Sequence, residues 1–106
     1  MKQGEIWTIQ DTGYASKPRP VLIIQKEVSK YDSVILCLLT SFDSTDLENR
    51  VEIEPTSKNG LNCTSFVMTD KILTVNKNVI GKRVGKLEAN KVNEVLSKIA
   101  QFLGIS

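Results

Sequence analysis

Lys17-Pro18-Arg19-Pro20-Val21-Leu22-Ile23-Ile24 is the stretch from which the rest of the chain is best read. Its two prolines hold residues 17–20 extended, bias Lys17 and Arg19 away from helix and each withhold a backbone donor. The apolar run that follows is rich in β-branched residues and unbroken, the mark of a strand buried on both faces. Upstream, Glu5-Ile6-Trp7-Thr8-Ile9 alternates polar and apolar side chains, as a half-buried strand does, until Asp11-Thr12-Gly13 breaks the pattern. Downstream, Ser33 to Leu39 reads as a third strand ending abruptly in Thr40-Ser41. Residues 42–50 are polar and acidic and suit a surface loop. Arg50-Val51-Glu52-Ile53-Glu54 alternates again and stops at Pro55. Asn59-Gly60 is a strong turn signal, and strand character resumes from Ser65 to Leu73, with Val75 a further apolar member.

From Glu88 onward the period changes. Val92, Val95, Leu96, Ile99, Phe102 and Leu103 recur at steps of three and four, one stripe of an amphipathic helix, and Gly104 is its expected stop. Five or six short strands followed by one helix give a mostly β fold with a C-terminal helix. No alternation of strand and helix, repeat or linker divides it, so residues 1–106 are expected to form one domain.

With 41% apolar and 25% charged residues, the chain has the composition of a globular domain rather than of a disordered one. A domain of 106 residues buries only about two-thirds of its unfolded surface, so burial against a second copy would help it. The absence of histidine excludes imidazole acid–base catalysis, His-containing zinc sites and Ser-His-Asp chemistry. Cys37 and Cys63 are too few for a disulfide framework; Cys37 reads as buried filler and Cys63 as exposed. With no secretory h-region and no apolar run of spanning length, the chain is expected to be soluble and cytoplasmic, without membrane, metal or cofactor. The net charge of +2 hides an asymmetry: +2 over residues 1–30, −5 over 31–70 and +5 over 71–106. Such a distribution can create a positive face on a nearly neutral protein.

Several motifs fall in a telling order. Gly4-Glu5-Ile6-Trp7 opens the chain, and Arg19-Pro20-Val21-Leu22-Ile23-Ile24 starts the second strand. Leu39-Thr40-Ser41 closes the third. Asn59-Gly60-Leu61 precedes Ser65-Phe66-Val67 and Asp70-Lys71-Ile72-Leu73-Thr74-Val75. Ile80-Gly81-Lys82-Arg83-Val84-Gly85-Lys86-Leu87 leads into the helix. End to end, this resembles the MazF/PemK family of toxin endoribonucleases. The resemblance implies an SH3-like barrel of the PemK/CcdB type, a homodimer, metal-independent cleavage of single-stranded RNA at a short sequence, and neutralisation by a cognate antitoxin. It places the family's catalytic arginine and threonine on Arg19 and Thr40, and its acidic residue on Asp70. Tyr14, Ser16, Lys17, Ser41 and Lys71 are the candidate RNA contacts, Tyr14 as a base-stacking aromatic and Ser41 as a fallback donor. The chain departs from family patterns in a short loop from Asp11 to Pro18 without histidine. It also has Lys71, Leu73 and Met68 where relatives carry Gln, Arg and, in some members, Arg.

The candidate residues suit the implied chemistry. RNA carries its own nucleophile, the 2′-hydroxyl, beside the scissile phosphate. The protein then has to align the groups and stabilise charge growing on the phosphorane oxygens. A guanidinium offers phosphate a planar fork of donors and keeps its charge at physiological pH. A strand-end hydroxyl adds a preorganised donor. Asp70 is the better candidate base, if within reach, and Arg19 is electrostatic first. Each has a plainer reading: Arg19 as a rim residue in a surface ion pair, Thr40 as a β-favourable strand end, Asp70 as a salt-bridge carboxylate, Trp7 as core or dimer-interface packing. Two other functions stay open at this point, a CcdB-like, gyrase-poisoning binder without enzymatic activity and an inactive binding module.

Overall fold

The computed structural model describes residues 1–10, 17–42 and 48–105. Six strands pair antiparallel in one sheet: β1 Glu5–Ile9, β2 Arg19–Ile23, β3 Ser33–Thr40, β4 Arg50–Ile53, β5 Ser65–Asn76 and β6 Ile80–Lys86. Helix α1, Ala89–Leu103, follows them. The order across the sheet is β4-β5-β3-β2-β1-β6, so β2 and β3 lie at its centre. Val21, Leu22 and Ile23 are fully buried, as a continuous apolar run in a central strand requires.

The alternation along each strand sorts its side chains between two apolar clusters. Ile6, Leu22, Cys37, Leu39, Val51, Ile53 and Val67 join Val95 and Ile99 of α1 in one. Ile9, Val21, Ile23, Val34 and Leu36 form the other with Val28, and Trp7 packs partly against it. Burying one such aliphatic side chain fully is worth about 1.5–3 kcal/mol.

The sheet differs from the sequence expectation in two places. β5 runs on to Asn76, because residues 72–76 keep pairing with β3 after a register shift between Cys37 and Leu39. β6 carries no alternating pattern, having two glycines and three cations in seven residues, yet it pairs with β1 at the sheet's edge. Its glycines are needed there. A Cβ at Gly81 would lie 2.4 Å from the Thr8 hydroxyl, and one at Gly85 would lie 2.3 Å from the Asn59 carbonyl oxygen. Helix α1 ends at Gly104 as expected, in the left-handed conformation (φ 78°). The Gly104 and Ile105 amides donate to the carbonyls of Gln101 and Ala100, a Schellman closure. The apolar stripe outlasts its burial, however: Val95 and Ile99 are covered, whereas Phe102 and Leu103 are more than half exposed. The last turn runs beyond the cluster that α1 covers.

The start of β1 is tied to β6 through Glu5. Its carboxylate accepts from Trp7 Nε1 (3.0 Å) and the Lys2 amide (2.8 Å) on one oxygen and from Arg83 Nε (3.2 Å) on the other. Burial works to raise the Glu5 carboxyl, but these donors outweigh it and hold it below its usual value. A lowered folded-state value means that the ionised form stabilises the fold above the ordinary carboxylate range. That contribution disappears as pH falls through the folded value. Glu5→Gln is therefore expected to lower Tm at pH 7, and the gap from the parent protein should narrow as the medium is acidified below the ordinary carboxylate range. Paired thermal melts across that range test it; a constant gap would assign the effect to packing.

Candidate functional site

Arg19 begins β2 and Thr40 ends β3, two strands that run antiparallel. Their ladder pairs Ile23 with Leu36, Leu22 with Cys37 and Val21 with Leu38. Carried two residues further in the same register, it sets Arg19 opposite Thr40. Residues so opposed present their side chains to the same face of a sheet. Pro18 and Pro20 keep this end of β2 extended, and Ile9 and Thr8 of β1 pair with Arg19 and Pro20 from the other side.

A cavity of about 300 Å³ opens at this end of the sheet, lined by Arg19, Thr40 and Ser41 together with Thr8, Asn62, Cys63 and Ser65, among others. Arg19 is exposed and has no ion-pair partner among the described residues, so its guanidinium is available to a ligand. The Thr40 Oγ1 accepts a hydrogen bond from the Phe42 amide at 3.1 Å. With that lone pair engaged, the hydroxyl proton remains to be donated elsewhere. Thr8 is held in place by accepting from the Lys82 amide at 2.9 Å across the β1–β6 pair.

Asp70 and Lys71 do not line this cavity. Asp70 accepts from Arg50 Nη1 across the β4–β5 pair, and Lys71 Nζ lies 3.7 Å from its other oxygen. The same Arg50 amino group also donates to the Asn49 carbonyl and amide oxygens. Both Arg50 and Asp70 are mostly buried, so this is a linkage between strands rather than a solvated pair. Lys17 is exposed just outside the cavity lining, and Tyr14 and Ser16 lie outside the described residues.

The two thiols divide as their sequence contexts suggest. Cys37 is buried, and that burial, with Asp70 adding to it, pushes its thiol up to about 12, leaving it neutral and inert. Cys63 is exposed in the cavity wall.

Nothing in the local sequence singles out Thr8, Asn62 and Ser65. Their polar side chains have no distinguishing pattern; only the approach of residues 60–65 to the strand ends groups them. A weak signal does exist in Asn59-Gly60. Asn59 is buried and closes the turn through Oδ1, which accepts from the Thr56 and Leu61 amides, and Nδ2, which donates to the Glu54 carbonyl. Gly60 adopts φ 69°. This fixed turn delivers Leu61, Asn62 and Cys63 to the cavity.

Comparison with known proteins adds an independent line. Residues 2–103 match the family model described as PemK-like, MazF-like toxin of type II toxin-antitoxin system. Over 110 aligned residues, the chain is 36% identical to a probable endoribonuclease MazF of Mycolicibacterium smegmatis, covering all of this chain and 99% of that protein. Its fold is similar to that of a mycobacterial endoribonuclease solved in complex with its cognate antitoxin (TM-score 0.83, 25% identity, 100% of this chain and 97% of that one). It is also similar to the Mycobacterium tuberculosis toxin MazF-mt6 (TM-score 0.80, 26% identity, covering 96% and 98%). The likeness extends in fold alone to a MazF of Deinococcus radiodurans, at TM-score 0.80, 18% identity and coverage of 99% and 97%.

Proposed function

The chain belongs to the PemK-like, MazF-like toxins of type II toxin–antitoxin systems, a family of RNA-cleaving enzymes, and from that membership we propose that it cuts single-stranded RNA in the cavity between Arg19 and Thr40. The observation that carries the assignment is that both residues line one cavity at the adjoining ends of β2 and β3, with the guanidinium free of any described ion-pair partner.

In the proposed reaction the RNA 2′-oxygen attacks the adjacent phosphorus, its proton passing to water. The bond from phosphorus to the 5′-oxygen then breaks, and that oxygen takes a proton from water. The products are a 2′,3′-cyclic phosphate and a 5′-hydroxyl, and no metal takes part. Arg19 stabilises the charge on the phosphorane oxygens through its fork of donors. Thr40 supplies a further donor, its hydroxyl oriented by the Phe42 amide, and Ser41 lies beside it. Asp70 is assigned a structural role, since its carboxylate is committed to Arg50 and Lys71. The protein is proposed to act in the cytoplasm as a homodimer, held in check by an acidic antitoxin whose binding weakens as salt rises.

Incubation of purified protein with a long transcript in EDTA tests the reading. Discrete fragments bearing 5′-hydroxyl ends are expected. An intact transcript would leave a protein-binding toxin or an inactive module on the same fold. Within an active protein, Thr40→Val should lower kcat by about 10²-fold with KM little changed, whereas Thr40→Ser should retain most of the rate. Equal activity of the valine variant would remove Thr40 from the mechanism.

A further inference from the structure

Next to the Arg19 cavity lies a second one of about 470 Å³, lined by Lys58, Arg83, Lys86, Leu87, Glu88 and Ala89. Gly60 and Val84 belong to the wall of the first cavity, and residues 58–60 lie directly on residues 84–86 of β6. The Lys86 amide donates to the Lys58 carbonyl at 3.0 Å. At this seam a Cβ on Gly60 would lie 2.2 Å from the Val84 carbonyl oxygen, and one on Gly85 would meet the carbonyl oxygens of Lys58 and Asn59. No side chain fits between the two segments. This close approach brings Lys58 into one lining with Arg83 and Lys86, while Gly60 and Val84 line the cavity that holds Arg19.

We propose that the second cavity holds the phosphodiester backbone of the same RNA strand beyond the cleaved linkage, with Lys58, Arg83 and Lys86 taking its phosphates. The inference rests on the nuclease reading above. Lys58 and Lys86 are exposed and make no ion pair among the described residues. Arg83 gives its Nε to Glu5, which leaves its terminal amino groups for phosphate. Glu88 is the one acidic residue in the lining, against three cations. The lining has no aromatic side chain on which a base could stack, so the contact is to the backbone and independent of sequence. Three cations against one carboxylate complement a run of phosphates, and the chain neighbours of Lys58 and Arg83 reach the wall of the Arg19 cavity at Gly60 and Val84, which favours the RNA strand as the occupant.

Two oligonucleotides built around a mapped cut site, one of about four and one of about 16 nucleotides, test this. For Lys58→Gln combined with Lys86→Gln, binding of the long RNA at low salt should weaken roughly tenfold. The slope of log affinity against log salt should fall by about 0.7 for each phosphate that is no longer neutralised. The cut sequence, and the cleavage rate on the short RNA, should match the parent protein. Lys26→Gln with Lys30→Gln, equal in charge change and placed between β2 and β3, is expected to change neither binding nor cleavage. The proposal is overturned if the long RNA binds the first variant as before, if both substrates suffer equally, or if the control pair weakens binding as much. A loss confined to binding of polyglutamate would overturn it in favour of an acidic peptide. Should the parent protein neither bind nor cut either RNA, the nuclease reading itself falls, a result distinct from all of these.

Discussion

Arg19→Ala is expected to reduce RNA cleavage by about 10³-fold while leaving the protein folded. The guanidinium is exposed, has no described ion-pair partner and contributes nothing to either apolar cluster, so its loss should move stability by no more than about 0.5 kcal/mol. Its removal takes the cavity's cation away from the phosphorane. Arg19→Lys keeps the charge but not the planar fork, and should recover only part of the rate. Single-turnover cleavage of one transcript by the three proteins, with circular dichroism melts alongside, separates catalysis from folding. Cleavage by Arg19→Ala at the parent rate would mean that the phosphate is held elsewhere.

The second large effect is structural. Gly85→Ala should destabilise the fold by about 3 kcal/mol, lowering Tm by roughly 12–24 °C. An alanine Cβ there would lie 2.3 Å from the Asn59 carbonyl oxygen and 2.4 Å from that of Lys58. Those atoms belong to backbone pinned by the Asn59 side chain and by the Lys86 amide, so they cannot withdraw as a flexible side chain could. Gly104→Ala makes an informative comparison. Its Cβ would meet no atom within 4 Å, and the cost should be only that of a left-handed alanine, about 1 kcal/mol. Denaturant titration of both variants checks the ranking; if the two proved equal, contact at the β6 seam would not govern stability.

Much of the architecture is legible because strands and helices impose a spacing on the chain that carries them. The unbroken run Val21–Ile24 announces a central strand, and the three-and-four spacing from Val92 announces the helix. Edge strand β6 is not legible in this way, since its side chains are mostly solvated and its glycines answer to neighbours distant in sequence. Asp70 shows the same limit from another side. Its sequence context allows a base or an ion-pair partner, and Arg50, twenty residues earlier, ties it into a strand linkage.

Local patterning along the chain accounts for the helix and every strand but β6, the stop at Gly104 and the family motifs containing Arg19 and Thr40. Which residues face one another is another matter. The meeting of Arg19 and Thr40 in one cavity, the arrival of Asn62 and Ser65 beside them, and the seam between residues 58–60 and β6 all depend on strand register and on close backbone approach. Both are settled by packing among segments far apart in the chain, where no local periodicity reaches.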